Sequence, residues 1–134
     1  MRYLLDTHTW IWAILGHTRL SVAVRRALTT VEHEPVGLAA ISLKEAAWLL
    51  ARDRVIVTKP GVSWSRWLRE AASAPSLEIL PLTVEIAIES ERFPRAFPSD
   101  PADRLIAATA RVHDLTLVTA DAALRGQQGL RTLW

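Results

Sequence analysis

Ser99-Asp100-Pro101-Ala102-Asp103-Arg104-Leu105-Ile106-Ala107-Ala108-Thr109-Ala110, followed shortly by Leu115-Thr116-Leu117-Val118-Thr119, sets a capped helix directly ahead of a β-branched strand. Asp100 suits the N-cap, Pro101 the first helical position and Asp103 the third, where an acid answers a free backbone N–H. The helix is expected to run to about His113, and the branched residues after it favour extended backbone. Capping alone accounts for both acids. Position adds a second possibility, because on a helix Asp103 shares a face with Ile106, Ala107 and Ala110. That places its carboxylate at the mouth of the core, where an ionised group needs a partner such as a hard cation.

The same strand–helix alternation extends outward in both directions. Tyr3-Leu4-Leu5 reads as a buried first strand ending at Asp6, with cap chemistry in Asp6-Thr7-His8-Thr9 and an apolar helix from Trp10 to Leu15 that stops near Gly16. Ser21 caps a second helix through Leu28, Val36–Ala39 is a short strand, and Ser42 is expected to open a helix running to about Arg52. Val55 to Gly61 is a loop or short extended piece. Ser63 begins another helix with Trp64, Trp67, Leu68 and Ala71 on one side, Leu77–Leu80 is a strand stopped by Pro81, and Thr83 caps a helix from Val84 to Glu91. Phe93 to Ser99 is a proline-containing loop, and Leu130–Leu133 closes as a last short strand. Alternation of this kind predicts one α/β domain, residues 1–134, with a mainly parallel sheet and helices on both faces.

Bulk properties narrow the classes. Half of the 134 residues are hydrophobic and 22% are charged, an ordinary globular balance that needs no staples. There is no cysteine, which excludes disulfides and thiolate metal sites. No apolar run reaches membrane-span length and no signal pattern opens the chain, so no membrane partner and a cytoplasmic address are expected. The basic residues are almost all Arg, Lys44 and Lys59 being the exceptions. Arg suits bidentate phosphate contact, although GC-rich coding produces the same bias.

Two acids close two apolar strands: Asp6 after Tyr3-Leu4-Leu5, and Asp121 after Leu117-Val118-Thr119-Ala120. Ligands of open parallel sheets bind beyond the carboxyl ends of the strands. Glu45, within Ile41-Ser42-Leu43-Lys44-Glu45-Ala46-Ala47-Trp48-Leu49, shares a helical stripe with Ile41, Trp48 and Leu49 that a solvated glutamate should avoid. A buried ion pair with a distant Arg is the structural alternative. Asp6, Glu45, Asp103 and Asp121, with Asp100 as a possible fifth, can therefore converge on one sheet edge. Clustered carboxylates repel unless a cation neutralises them or some stay protonated. Oxygen-only donors select Mg²⁺ or Mn²⁺, and His8, His17, His33 and His113 lack zinc-ligand spacing. His8 reads as a first-turn surface residue, near enough to Asp6 for a supporting role. No nucleophile elbow and no glycine-rich phosphate loop is present, so a metal-activated water acting on a phosphodiester is the preferred chemistry.

These pieces together resemble the PIN-domain family, specifically the VapC-type toxins of prokaryotic toxin–antitoxin pairs. The matching segments are Tyr3–Thr9, Ile41–Glu45, Asp100–Ala108 and Leu117–Asp121, with Leu130–Trp134 similar to the family's terminal strand. Each is short, but they span the chain in the family's order. The least diagnostic part is Asp53 to Ser76, and Lys44 stands where many relatives have an apolar or aromatic residue. The resemblance implies a three-layer PIN-like fold and a Mg²⁺- or Mn²⁺-dependent endoribonuclease acting as a toxin. It implies Asp6, Glu45, Asp103 and Asp121 as catalytic and metal-holding acids, with Asp100, Thr7 and Thr119 as accessory groups. It also implies an RNA substrate, a cognate antitoxin and a homodimer, and Arg104 is expected to steer the phosphate backbone.

Two other functions compete. A non-catalytic binding module could keep the acids for stability or partner contact. A receiver-like phospho-acceptor domain also gathers acids at strand ends, but it needs a lysine just after a late strand, and neither Lys44 nor Lys59 stands there. Of the six Trp, core packing is expected for most of Trp10, Trp12, Trp64 and Trp67, with at least one at an interface.

Overall fold

The computed structural model describes residues 1–16, 18–31, 33–57 and 60–134. In chain order the elements are β1 (Tyr3–Leu5), α1 (Thr7–Leu15), α2 (Val22–Thr30), β2 (Val36–Ala39), α3 (Ala40–Ala51), α4 (Trp64–Ala72), β3 (Leu77–Leu80), α5 (Val84–Ser90), α6 (Pro101–Val112), β4 (Thr116–Val118) and β5 (Thr132–Leu133). The expected loop at Val55 to Gly61 lies partly outside the described residues, at Thr58 and Lys59.

Local chemistry sets most boundaries. Ser21, Ser63 and Thr83 each accept a hydrogen bond from the backbone N–H three residues on, as N-caps do. Gly16 ends α1 at φ 64°, a left-handed conformation that suits glycine. One expected cap is corrected. Ser42 does not open α3, which starts at Ala40 straight from β2, with Ala39 as an N-cap that makes no side-chain bond. Ser42 instead lies inside the helix, fully buried.

All five strands are parallel, in the order β3-β2-β1-β4-β5. Being short and apolar on both sides, they need cover on both faces. Successive strand residues deliver it by pointing in opposite directions. Leu4, Ala39, Leu80 and Leu117 join Ile86, Ile106 and the stacked Phe93 and Phe97 beneath α5 and α6. Leu5, Leu38 and Val118 join Trp10, Ile11, Val24, Leu50 and Trp67 beneath α1 to α4. Layers of helix, sheet and helix result, as expected for the fold class. Gly37 is needed where β2 packs against β1, since a Cβ there would lie 3.1 Å from the Leu4 side chain.

Strand order reverses between β1 and β4. β1 leads out to β2 and β3 on one side, while β4 and β5 lie on the other. Crossover loops leave in opposite directions there, opening a crevice beyond the carboxyl ends of β1 and β4.

Candidate active site

That crevice is a cleft of about 400 Å³ whose walls include Asp6, Glu45, Asp103 and Asp121. Each acid arrives by a different route. Asp6 ends β1 and caps α1; its N–H donates to the Val118 carbonyl at 3.1 Å, tying the two central strands together at the cleft floor. Asp121 follows β4. Glu45 comes from the second turn of α3, and Asp103 from the first turn of α6, whose N-terminus reaches the same edge because this helix runs antiparallel to the strand it feeds.

The carboxylates are held by short local bonds that leave acceptor capacity free. Asp6 Oδ1 accepts the Thr9 N–H at 2.8 Å, and Asp121 Oδ1 accepts the Ala123 N–H at 2.9 Å. Thr119, fully buried, accepts the Asp121 N–H on its Oγ1 at 3.0 Å and so fixes the backbone from which that acid projects. Thr7 Oγ1 lies 2.6 Å from Glu45 Oε1 and 3.0 Å from Ser42 Oγ. Its single proton goes to the carboxylate, the stronger acceptor. Glu45 is thus oriented by a hydroxyl, where an arginine partner was the alternative.

The acids are close enough to act on one another through charge. Burial, then the negative charges of Asp100, Asp121, Glu45 and Asp6, push the Asp103 carboxyl up to about 6. Asp100 itself caps α6, accepting the Ala102 and Asp103 N–H groups at 2.8 and 3.2 Å. It stands outside the cleft wall and acts on Asp103 through charge.

The donor set is oxygen only. Among the described residues, no three His, Asp or Glu side chains form a ready-made metal cage. A looser arrangement still fits Mg²⁺ or Mn²⁺ chemistry, since such ions keep several waters and take only one or two protein carboxylates directly. A cation here would also relieve the repulsion that raises Asp103.

Arg104, expected to steer the phosphate backbone, stands elsewhere. It is absent from the cleft wall, because its guanidinium donates to the carbonyls of Pro98, Phe97 and Ser90 at 2.9, 3.2 and 3.5 Å. It clamps the loop ahead of α6. Among the described residues, the Arg that does line the cleft is Arg19, over the Trp12 ring at 5.6 Å. Nothing in the sequence around Arg19 signals this. For Ser42 a signal existed: it lies three residues before Glu45, on the same helix face. His8 is exposed and packs its ring against Trp12 at a centroid distance of 5.7 Å.

Fold and site together define a class: a parallel α/β domain with an acidic, oxygen-donor cleft at the switch point of its sheet. The PIN domain profile matches residues 3–128, and the chain belongs to the PIN-domain family. It is 38% identical over 134 residues to Ribonuclease VapC22 of Mycobacterium tuberculosis (strain ATCC 25618 / H37Rv), covering 98% of this chain and 97% of that protein. It also resembles the crystal structure of VapBC2 from Rickettsia felis bound to a DNA fragment from their promoter, with TM-score 0.72, 19% identity and coverage of 99% and 98%. A toxin–antitoxin complex from Klebsiella pneumoniae is similar at TM-score 0.65, with 20% identity and coverage of 98% and 96%. At these identities the two structures speak for the fold.

Proposed function

We propose that the chain is an endoribonuclease that hydrolyses RNA phosphodiester bonds with Mg²⁺ or Mn²⁺ and acts as the toxin of a toxin–antitoxin pair. The observation that carries this reading is four carboxylates from four separate segments lining one cleft, in a chain similar along its whole length to a ribonuclease. Asp6, Glu45, Asp103 and Asp121 are the residues that would hold the ion. When bound, a divalent cation supplies an acidified water and neutralises charge on the phosphoryl and leaving oxygens.

The chain's own residues do the rest. Thr7 and Ser42 keep Glu45 in one orientation, while Thr119 and the α1 cap fix Asp121 and Asp6 against the sheet. Burial and the neighbouring carboxylates raise the Asp103 carboxyl to about 6, and a bound cation would favour the ionised form that holds the ion. A receiver-like reading lacks support, since β4 is followed by Thr119 and Ala120 and no lysine. The proposal carries a cognate antitoxin, a homodimer and a cytoplasmic site of action with it, because a toxin that cleaves RNA works where RNA is.

Incubating the purified chain with structured RNAs, in Mg²⁺ or Mn²⁺ and in chelator, tests it. Cleavage should require the metal and fall on the order of a hundredfold or more in Asp6→Asn. Cleavage that persists in chelator rejects the mechanism. RNA bound but never cut, equally by parent and variant, supports a binding module in its place.

A further inference from the structure

Beside the acidic cleft lies a second cavity of about 450 Å³, whose wall includes Ile41, Trp48, Leu49 and Pro101 with the charged residues Lys44 and Asp100. The two are continuous, since His8 and Glu45 line both. Trp48 is 41% exposed, although its helical stripe should have been buried. The core-facing residues of α3 are Ser42, Ala46 and Leu50, and the stripe of Ile41, Glu45, Trp48 and Leu49 turns towards the two cavities instead. Two exposed guanidiniums stand over the indole, Arg52 at 4.8 Å and Arg54 at 5.8 Å. The turn that follows α3 brings both there. Asp53 adopts φ 53°, with its N–H on the Leu50 carbonyl and the Arg54 N–H on the Leu49 carbonyl, so the chain doubles back over its last turn.

Four carboxylates outweigh the Arg19 guanidinium in the cleft and repel a polyanion in the absence of a bound cation, so cations beyond the cleft must add to the chain's affinity for a nucleic acid. On this side of the cleft the Arg52 and Arg54 guanidiniums lie against a partly exposed indole, and cations combined with an aromatic surface are the pairing that holds single strands. Building on the ribonuclease reading, we infer that Trp48, with Arg52 and Arg54, is a nucleobase-stacking and phosphate-holding platform for an unpaired RNA strand entering the acidic cleft. A paired duplex offers no free base face to the indole, so Trp48 should act on unpaired segments alone.

Binding of a labelled, unpaired oligoribonucleotide of about ten nucleotides, measured by anisotropy on the full chain in chelator, tests this without cleavage. Trp48→Ala should weaken binding about tenfold, and Trp48→Phe should restore most of it. Arg52→Gln with Arg54→Gln should lower the slope of log affinity against log salt by about 1.4. Duplex of the same sequence should be indifferent to Trp48. With metal present, the Trp48→Ala loss should appear in KM. Unchanged single-strand affinity in a Trp48→Ala chain that melts like the parent overturns the platform. So does a change in solution mass without a change in RNA affinity, which would make this face a contact between copies. Cleavage by the parent together with an indifferent Trp48→Ala variant sinks only the platform. A parent that cleaves no RNA with metal sinks the ribonuclease reading, and binding in chelator still judges the platform.

Discussion

Asp103 sits under two opposed fields. The N-terminus of α6 favours a negative charge at its third position by about 0.3–1 kcal/mol, yet burial and four neighbouring carboxylates raise its pKa to about 6. Repulsion and desolvation therefore win in the metal-free protein. Because the folded pKa lies above the unfolded one, the stability contribution is full below the unfolded value and is lost as pH rises through about 6. Asp103→Asn should thus melt higher than the parent in chelator above pH 6, on the order of 1 kcal/mol after solvent screening. The gain should fade towards pH 4. Melting curves at both ends of that window check it, and a gain that grows on acidification contradicts it. Thr7 offers a second residue-scale test. Thr7→Val strips the donor from Glu45 and isolates the buried Ser42 hydroxyl, so activity should drop about 10- to 100-fold and stability by about 1–3 kcal/mol. Activity equal to the parent would show that Glu45 needs no orienting group. Asp6 and Asp121 were legible because each follows an apolar strand, a local pattern. Arg19 was not, since it lies beyond the Gly16 end of α1, where no helical spacing relates it to Trp12.

At the scale of elements, α6 shows what local reading can and cannot reach. Its start is written in adjacent residues, with Asp100 capping Ala102 and Asp103 as expected. The role of Arg104 is written in carbonyls that lie six, seven and fourteen positions earlier in the chain, which no helical spacing encodes. Arg104→Met should leave those carbonyls poorly satisfied and destabilise the fold by about 1–3 kcal/mol in urea titrations. Its RNA affinity should keep the parent's salt slope. A slope reduced by about 0.7, one phosphate contact on a single strand, would restore the backbone-steering role. α3 is the complementary case. Its inward face is set by Ser42, Ala46 and Leu50, small or apolar residues one position away from the stripe that hydrophobicity alone selects. Trp48 was drawn into that stripe because an indole reads as core by type, whereas the crevice beside α6 leaves it exposed.

For the whole molecule, alternation of strands and helices made a parallel, doubly covered sheet readable, because a parallel crossover demands it. The order β3-β2-β1-β4-β5 was not readable, as it arises from the fit of the two cores about Leu4, Leu5, Leu117 and Val118. That order is what turns four scattered acids into one site: with the reversal placed between any other pair of strands, Asp6 and Asp121 would not flank the same crevice. Cation binding should accordingly stabilise the native state alone. At Mn²⁺ concentrations about 100-fold above Kd the gain should be about 2.7 kcal/mol. Direct detection of bound Mn²⁺ by electron paramagnetic resonance, on the parent and on a chain carrying Asp6→Asn with Asp121→Asn, puts the shared cleft to its hardest trial. Saturable binding by the parent, displaced by Mg²⁺ and lost in the variant, is the predicted result; no binding by the parent, or equal binding by both, contradicts it.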